Sequence, residues 1–247
     1  MNVKKLYEKL NEKIPQELSC DWDNDGLMVE SAPEKEVKKA LVSLDVSKGA
    51  VERAKELGSD VIISHHPLIF RPLKNLSYAG LQTEKIIECI KSDIAVMSFH
   101  TRLDALEGGV NDALAKKLGL QRTEPLCGMA RIGYLEKPMR LDDFASLVDR
   151  ALGCRCIAYS GKKEVYKVGL LGGDGKDFAW DAAAAGCDTY LTGNAGYNTA
   201  LDLSDAGINC VEAGHFFTEN PVCEVIAEIL ENLGIDVQTY NSNPQIK

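Results

Sequence analysis

The sequence lacks three features that would each point to a function class. It has no apolar run long enough to cross a membrane, no cysteine pair with CxxC spacing, and no excess of basic charge. Its net charge of −9 argues against nucleic acid or an anionic membrane as the main partner. The first segment, MNVKKLYEKLNEKIP, is typical of an amphipathic helix and lacks the apolar core of a signal peptide. We therefore expect a cytoplasmic protein with no membrane partner.

The eight cysteines do not indicate a disulfide framework. Most of them lie inside apolar runs, where cysteine is typically a small buried hydrophobic residue. Cys154 and Cys156 form the one close pair, and their spacing does not favour redox or metal chemistry.

Histidine is scarce, yet two of the four histidines are adjacent, in the stretch IISHHPLIF at residues 62–70. The apolar residues before them are typical of a buried strand, which Pro67 ends. Neighbouring side chains in a regular strand point to opposite faces, so His65 and His66 do not easily bind one ion together. Two interpretations stay open: the rings bind two different ions at a turn, or one ring is a ligand and the other is not.

Two segments repeat the same order of predicted elements at an offset of 128 residues. Residues 41–66 and residues 169–194 each indicate a strand, a turn, a helix and a second strand, with Gly58 matched by Gly186. A strand–helix–strand unit of this kind implies parallel strands joined by a helical crossover.

The repeat predicts an α/β protein of two similar lobes with mostly parallel sheets. The first lobe is expected at 1–124 plus about 212–247, because the helix at about 218–233 packs back on it. The second lobe is expected at 125–211, with a helix over 141–152. Sites in open α/β sheets lie beyond the carboxyl ends of the strands, so we expect the site in the cleft between the lobes.

All four histidines follow predicted strands, and two of them precede a carboxylate by four residues. Asp104 follows His100, and Glu219 follows His215, at this spacing. Histidine with aspartate or glutamate is a common ligand set for Zn, Mn, Fe or Co. A carboxylate can also bridge two ions roughly 3.5–4 Å apart, as in dinuclear hydrolases. The pattern predicts a dinuclear centre, with one ring of the adjacent histidines for each ion.

Four separated segments resemble the signature segments of the GTP cyclohydrolase I type 2 homologue family, also called the Nif-three-like proteins. They are CDWDNDGLMV, SHHPLIF, HTRLDALEGGVNDALA and GHFFTE, and the resemblance runs from the first helix to the last. It implies a two-lobed α/β chain with two divalent metal ions. It also implies a ring-shaped homohexamer, a trimer of dimers.

The resemblance implies five metal ligands, and it places a further histidine beside them. The implied ligands are His65, His66, Asp104, His215 and Glu219. Glu219 would bridge the ions, with His66 and Asp104 on one ion and His65 and His215 on the other. His100 would support a ligand or act on substrate, and we expect it to be the catalytic proton-transfer group.

The sequence departs from the family pattern at two positions. Where many members resemble TGDxxYH, this chain has TGNAGYN, with Asn194 in place of an aspartate and Asn198 in place of a histidine. These replacements predict a difference in substrate or rate, while the implied metal ligands are intact.

Two weaker motifs are interpreted as turns. DWDNDG begins like a calcium loop but has Ala32 where a bidentate glutamate is required, so we expect a turn anchored by Trp22. GLLGGDGKD has Leu170 and Asp177 at positions where a phosphate loop needs glycine and a hydroxyl, so we expect a tight strand-to-helix turn.

Two function classes remain open. The first is a hydrolase in which two divalent ions activate water against a nucleotide, a phosphoester or a related small molecule. The second is a non-catalytic protein that stores, delivers or senses metal, or acts through protein partners. Imidazole and carboxylate ligands without thiolate leave Fe, Mn, Zn, Co and Ni as candidate ions.

Overall fold

A computed structural model describes residues 1–161 and 164–244 of the chain. The chain divides into two compact units. Unit 1 comprises Met1–Leu103 and Val222–Lys247, and unit 2 comprises Asp104–Pro221. Residues 245–247, which were expected in the first lobe, lie outside the described residues.

The described residues form α-helices and β-strands that alternate along most of the chain. The helices are α1 (Val3–Lys13), α2 (Lys48–Leu57), α3 (Leu81–Lys91), α4 (Thr101–Ala105), α5 (Val110–Lys117), α6 (Leu141–Leu152), α7 (Ala179–Ala184), α8 (Tyr197–Asp205), α9 (His215–Glu219) and α10 (Val222–Asn232). The strands are β1 (Gly26–Val29), β2 (Lys39–Ser43), β3 (Val61–Ser64), β4 (Ala95–Ser98), β5 (Gln121–Leu126), β6 (Ala130–Met139), β7 (Ile157–Tyr159), β8 (Val165–Asp174), β9 (Thr189–Asn194), β10 (Asn209–Glu212) and β11 (Asp236–Tyr240). Short 3₁₀ turns occur at Gln16–Leu18 and Lys176–Phe178.

Unit 1 contains a five-stranded sheet in the order β1-β4-β3-β2-β11. β4, β3, β2 and β11 are parallel, and β1 joins the edge antiparallel to β4. All residues of β3 and β4 are buried, as expected for strands that are covered on both faces. The parallel strands place the segments that follow β3 and β4 at the same edge of the sheet.

Unit 2 contains a six-stranded mixed sheet in the order β5-β6-β8-β9-β10-β7. The expected parallel pairing occurs in β8, β9 and β10. β5, β6 and β7 add antiparallel pairs at the two sides. Both sheets are therefore mixed, and only the sheet of unit 1 is mostly parallel.

The internal repeat is confirmed by the register of the strands. In unit 1, β2 pairs with β3 from Ala40↔Val61 to Ser43↔Ser64. In unit 2, β8 pairs with β9 from Val168↔Thr189 to Leu171↔Thr192, so every residue number is 128 higher. The two strand–helix–strand segments thus share the same parallel pairing, and the offset found in the sequence is a structural one.

Local sequence explains where several helices begin and end. Asn2 caps α1 through its side chain, which accepts a hydrogen bond from the Lys5 amide, and Ser47 caps α2 in the same way. α6 spans the predicted 141–152 and ends at Gly153, whose φ of 67° is left-handed.

The units differ from the expected lobes in two segments. Residues 104–124, which include α5, belong to unit 2, where Leu114, Ala115 and Leu118 pack in a core with β6 and β8 residues. Residues 212–221 also belong to unit 2, where α9 contacts β8 and β9. Strand β11 pairs with β2, and Val222–Lys247 is assigned to unit 1.

Within the described residues, no helix combines the length and the hydropathy that a membrane crossing requires.

Candidate metal centre

Three histidines meet at the edge of the unit 1 sheet. His65 and His66 directly follow β3, and His100 follows β4. The ring centroids are 5.0 Å apart for His65–His66, 5.2 Å for His65–His100 and 5.8 Å for His66–His100. One ligand nitrogen from each ring lies within 4.8 Å of the other two. The adjacent histidines are therefore part of a cluster of three imidazoles.

Each of these rings has its Nδ1 atom next to an oxygen that accepts a hydrogen bond. Nδ1 of His65 lies 3.0 Å from the Phe99 carbonyl oxygen, and Nδ1 of His66 lies 2.7 Å from Asp45 Oδ1. Nδ1 of His100 lies 2.9 Å from Asp23 Oδ1. Carbonyl and carboxylate oxygens only accept, so Nδ1 carries the proton and the lone pair of the neutral ring lies on Nε2.

The C-terminal segment helps to hold His66. Ser242 Oγ donates to Asp45 Oδ2 at 3.1 Å and accepts from the Asp45 amide at 3.3 Å. Asp45 in turn orients His66 through its other carboxylate oxygen. The sequence predicted no role for Asp45, because a contact to residues so far along the chain leaves no local pattern.

His100 is held by the DWDNDG segment. Asp23 accepts hydrogen bonds from His100 Nδ1 and, at 2.7 Å, from the Thr101 hydroxyl. Burial alone would raise the pKa of Asp23, but these hydrogen bonds outweigh it and hold that pKa well below its usual range. Asp25 forms a buried ion pair with Arg102 at 2.7 Å. Asp23 and Asp25 of this segment thus bind protein groups.

The expected anchoring role of Trp22 is wrong. The Trp22 side chain is 65% exposed, whereas the side chains of Asp23 and Asp25 are 0% and 3% exposed. The segment is anchored by its carboxylates, because each can accept several hydrogen bonds from the buried groups around it.

In unit 2, His215 and Glu219 begin and end the single-turn helix α9. The spacing of four residues places both side chains on one face, with His215 Nε2 2.9 Å from Glu219 Oε2. The Glu219 side chain is 6% exposed, and that of His215 is 49% exposed. The two predicted ligands of this helix are therefore neighbours.

Glycines at the end of β8 make room for these side chains. A Cβ atom on Gly173 would lie 2.1 Å from Glu219 Oε1 and 3.3 Å from His215 Cε1. A Cβ atom on Gly193, at the end of β9, would lie 2.8 Å from the Cα of His215. In GLLGGDGKD, β8 runs to Asp174, and the predicted strand-to-helix turn is confined to Gly175 and the 3₁₀ turn that follows it. The one adjacent glycine pair, Gly172 with Gly173, forms the cradle for Glu219.

Asn111 connects the backbone near Asp104 to this cradle. Its side chain is fully buried, donates to the Asp104 carbonyl oxygen at 3.1 Å and accepts from the Gly172 amide at 2.8 Å. Asp104 lies in α4, four residues after His100. The sequence predicted no role for Asn111, although it lies inside the quoted segment HTRLDALEGGVNDALA.

The donor set fits a divalent transition-metal ion. Imidazole nitrogens and carboxylate oxygens suit Zn, Mn, Fe, Co and Ni. Histidine ligands of metals typically donate their second ring N–H to a carboxylate or a backbone carbonyl, as His65, His66 and His100 do. In unit 1 these donors lie on the two short connections that follow β3 and β4, where sites in open α/β sheets are found.

Comparison with known proteins identifies the family. The sequence pattern of Duf34/NIF3 (NGG1p interacting factor 3) matches residues 1–245. The chain belongs to the DUF34/NIF3 family. The resemblance noted in the sequence is thereby confirmed over nearly the whole chain.

Individual DUF34/NIF3 relatives cover most of the chain. A "GTP cyclohydrolase 1 type 2 homolog" of Clostridium perfringens is 32% identical, over 96% of this chain and 95% of its own length. A protein of the same name from Streptococcus pneumoniae is 36% identical, over 87% and 85%. A solved structure of a Bacillus cereus protein related to NIF3 has a TM-score of 0.93 and 25% identity, covering 100% of this chain and 99% of its own.

Asn194 and Asn198, at which the sequence was expected to differ from its family, lie on exposed parts of unit 2. Asn194 ends β9, and its side-chain oxygen accepts from the Gly196 amide at 3.3 Å. Asn198 lies in the first turn of α8. Both side chains belong to exposed residues.

Proposed function

We propose that this protein is a hydrolase that depends on two divalent metal ions and acts on a nucleotide, a phosphoester or a related small molecule. The observation that carries the proposal is the cluster of three imidazoles. Its rings have ligand nitrogens within 4.8 Å of one another, and each Nδ1 is held by an oxygen acceptor. Such preorganised donors are typical of metal sites.

Five residues are proposed as the ligands of the two ions. They are His65, His66, Asp104, His215 and Glu219, of which the first two belong to unit 1 and the other three to unit 2. We propose that Glu219 bridges the ions, His66 and Asp104 bind one ion, and His65 and His215 bind the other. The residue types and the family support this assignment.

The ions and the protein would contribute different parts of the chemistry. When bound, two divalent ions lower the pKa of water toward about 7 and polarise a phosphoryl or carbonyl oxygen. The protein orients the ligand rings through Asp45 and the Phe99 carbonyl, and it limits solvent at His65, which is fully buried.

His100 is proposed as the proton-transfer group. Its Nδ1–H points to Asp23, whose low pKa keeps it a carboxylate at neutral pH. This hydrogen bond orients the ring through Nδ1 and leaves Nε2 to take up a proton and return it. The His100 side chain is 19% exposed, which leaves part of the ring accessible to substrate.

A substrate panel tests the proposal. Wild-type protein loaded with Mn²⁺, Fe²⁺ or Zn²⁺ is assayed for hydrolysis of nucleoside triphosphates, nucleoside monophosphates and nitrophenyl phosphate esters. We expect turnover of at least one compound, loss of that activity with chelator, and loss in His65→Ala. The matched control is Gly186→Ala, a change in unit 2 where an added Cβ meets nothing within 4 Å. Metal-loaded protein that hydrolyses nothing in the panel contradicts the proposal.

The competing function is a non-catalytic metal-binding or regulatory protein. The family description, which names an interacting factor and not a reaction, favours keeping this candidate. A carrier would exchange its ions rapidly with a chromogenic chelator and show no turnover, whereas a hydrolase would retain its ions during turnover. The rate at which bound radioactive metal leaves the protein, measured on the same preparations as the panel, distinguishes the carrier from the hydrolase.

We further propose that the chain forms a homohexamer, a trimer of dimers. The proposal rests on the resemblance to the Nif-three-like proteins. Light scattering coupled to size exclusion tests it: a mass of six chains is expected, and a monomer at micromolar concentration contradicts it.

A further inference from the structure

Two exposed aromatic side chains lie against the histidine cluster of unit 1. Trp22 is 65% exposed and Phe70 is 42% exposed. The Trp22 and Phe70 ring centroids are 6.2 Å apart, and they lie 6.3 Å and 6.2 Å from the His100 ring. The three rings are steeply inclined to one another, with interplanar angles of 72°, 78° and 88°. They form an aromatic corner, defined by Trp22, Phe70 and His100.

The chain on both sides of Trp22 is held firmly. Asp23 binds His100 and Thr101, and the Asn24 side chain donates to the Ile69 carbonyl oxygen. Asp25 accepts from Ser19 at 3.0 Å as well as from Arg102. The polar side chains of this segment thus hold in place the backbone that carries the exposed Trp22 indole. A rigid, exposed aromatic side chain suits binding, because little conformational entropy is lost when a ligand orders it.

The aromatic corner continues directly into the proposed metal ligands. The His100 ring, which forms one side of the corner, also contacts the His65 ring at 5.2 Å and the His66 ring at 5.8 Å. A small molecule bound to ions at His65 and His66 would therefore lie beside the His100 side of the corner.

We propose that the aromatic corner binds a planar heteroaromatic ring, such as a nucleobase, of the small molecule on which the protein acts. Trp22 and Phe70 supply the contact surface, and His100 lies between this ring and the reacting group. The inference rests on the proposed function, since it names the substrate class of that site. Stacking of bases on aromatic side chains is a strong and sequence-tolerant mode of recognition.

Other occupants fit the corner less well. A quaternary ammonium group also binds between aromatic rings, but two adjacent divalent ions would repel it. A nucleic-acid strand is disfavoured by the net charge of −9. A protein partner needs an interface of roughly 20–30 residues a side, and two side chains beside a histidine cluster do not supply that.

The intrinsic fluorescence of Trp22 provides a direct test. The chain has two tryptophans, Trp22 and the exposed Trp180 of unit 2, so Trp180→Phe leaves Trp22 as the only indole. This variant, loaded with Mn²⁺, is titrated with the 5′-monophosphates of adenosine, guanosine, uridine and nicotinamide riboside. Ribose 5-phosphate serves as the probe without an aromatic ring, and choline serves as the probe with a quaternary ammonium group.

We expect saturable quenching by at least one ring-bearing monophosphate, with ribose 5-phosphate binding at least roughly tenfold more weakly. Adding Phe70→Ala should weaken ring binding by roughly five- to a hundredfold. Adding Leu81→Ala, which removes a 71% exposed apolar side chain elsewhere in unit 1, should not change it.

Three results would overturn the inference: no saturable quenching by any ring-bearing compound, equal binding of ribose 5-phosphate, or no effect of Phe70→Ala. Metal content is measured on the same samples. If the protein binds metal but does not discriminate between compounds with and without an aromatic ring, the ring-binding role of the corner is contradicted, while the proposed hydrolase is not. If the protein binds the ring-bearing compounds but takes up no metal, the proposed metal-dependent hydrolase is contradicted, while the ring-binding role of the corner is not.

Discussion

At the residue scale, the candidate centre depends on acceptors that come from distant parts of the chain. The three rings of unit 1 are oriented by the Phe99 carbonyl, Asp45 and Asp23. The histidines could be predicted from the sequence because they follow strands. Their acceptors could not, because a hydrogen bond across 21 or 77 residues leaves no spacing signal.

Replacement of His100 separates proton transfer from metal binding. His100→Ala should keep the full metal content and lower turnover by roughly 10²–10⁴-fold, the usual contribution of general acid–base catalysis. Metal content by mass spectrometry and turnover on the best panel substrate measure the two effects. Loss of an ion in this variant would instead make His100 a ligand, and unchanged turnover would remove its proton-transfer role.

Replacement of Asp45 tests how the His66 ring is held. Asp45→Ala removes the acceptor for Nδ1, so metal affinity should fall by roughly 10–100-fold. Ser242→Ala should produce a smaller loss in the same direction, because Ser242 holds only the other oxygen of Asp45. Competition with a fluorescent chelator measures both. Asp236→Ala, which changes an exposed aspartate at the start of β11, is the control and should have no effect. Equal affinities for all four proteins would contradict the role of Asp45.

At the element scale, periodicity and capping predicted the helices and the parallel core of each sheet. The predicted helix over 141–152 agrees with α6. The antiparallel additions of β5, β6 and β7 could not be predicted, because an edge partner is chosen by tertiary packing and not by the strand's own residues. Glycines at the ends of β8 and β9 leave room for helix α9. The sequence around the glycines of β8 predicted only a turn.

Paired glycine substitutions test the cradle for Glu219. Gly173 and Gly186 both have left-handed φ angles, 71° and 78°, so alanine at either position should destabilise the fold by about 1–2 kcal/mol. Only at Gly173 does the added Cβ collide with Glu219. Gly173→Ala should therefore lose metal affinity by at least roughly tenfold, while Gly186→Ala keeps it. Thermal unfolding and chelator competition measure the two quantities, and equal metal affinity in both variants would contradict the cradle.

At the scale of the whole molecule, the family match, the division into two units and the net charge are consistent with one another. The DUF34/NIF3 pattern covers residues 1–245, and the two units each contain a mixed sheet. The net charge of −9 favours the local accumulation of cations. The fold class and the family could be predicted from the sequence, since the quoted segments span both units. The substrate could not, because ring recognition depends on exposed side chains such as Trp22, whose exposure only the structure gives.

The most direct test of the central claim is the metal content per chain. Protein purified anaerobically without chelator, and the same protein after incubation with Fe²⁺, Mn²⁺ or Zn²⁺, is analysed by mass spectrometry beside Glu219→Ala. We predict two ions of one kind per chain in the wild type and at least one ion fewer in the variant. No bound ion under any of these conditions would contradict the dinuclear centre, and an unchanged count in Glu219→Ala would contradict its bridging ligand.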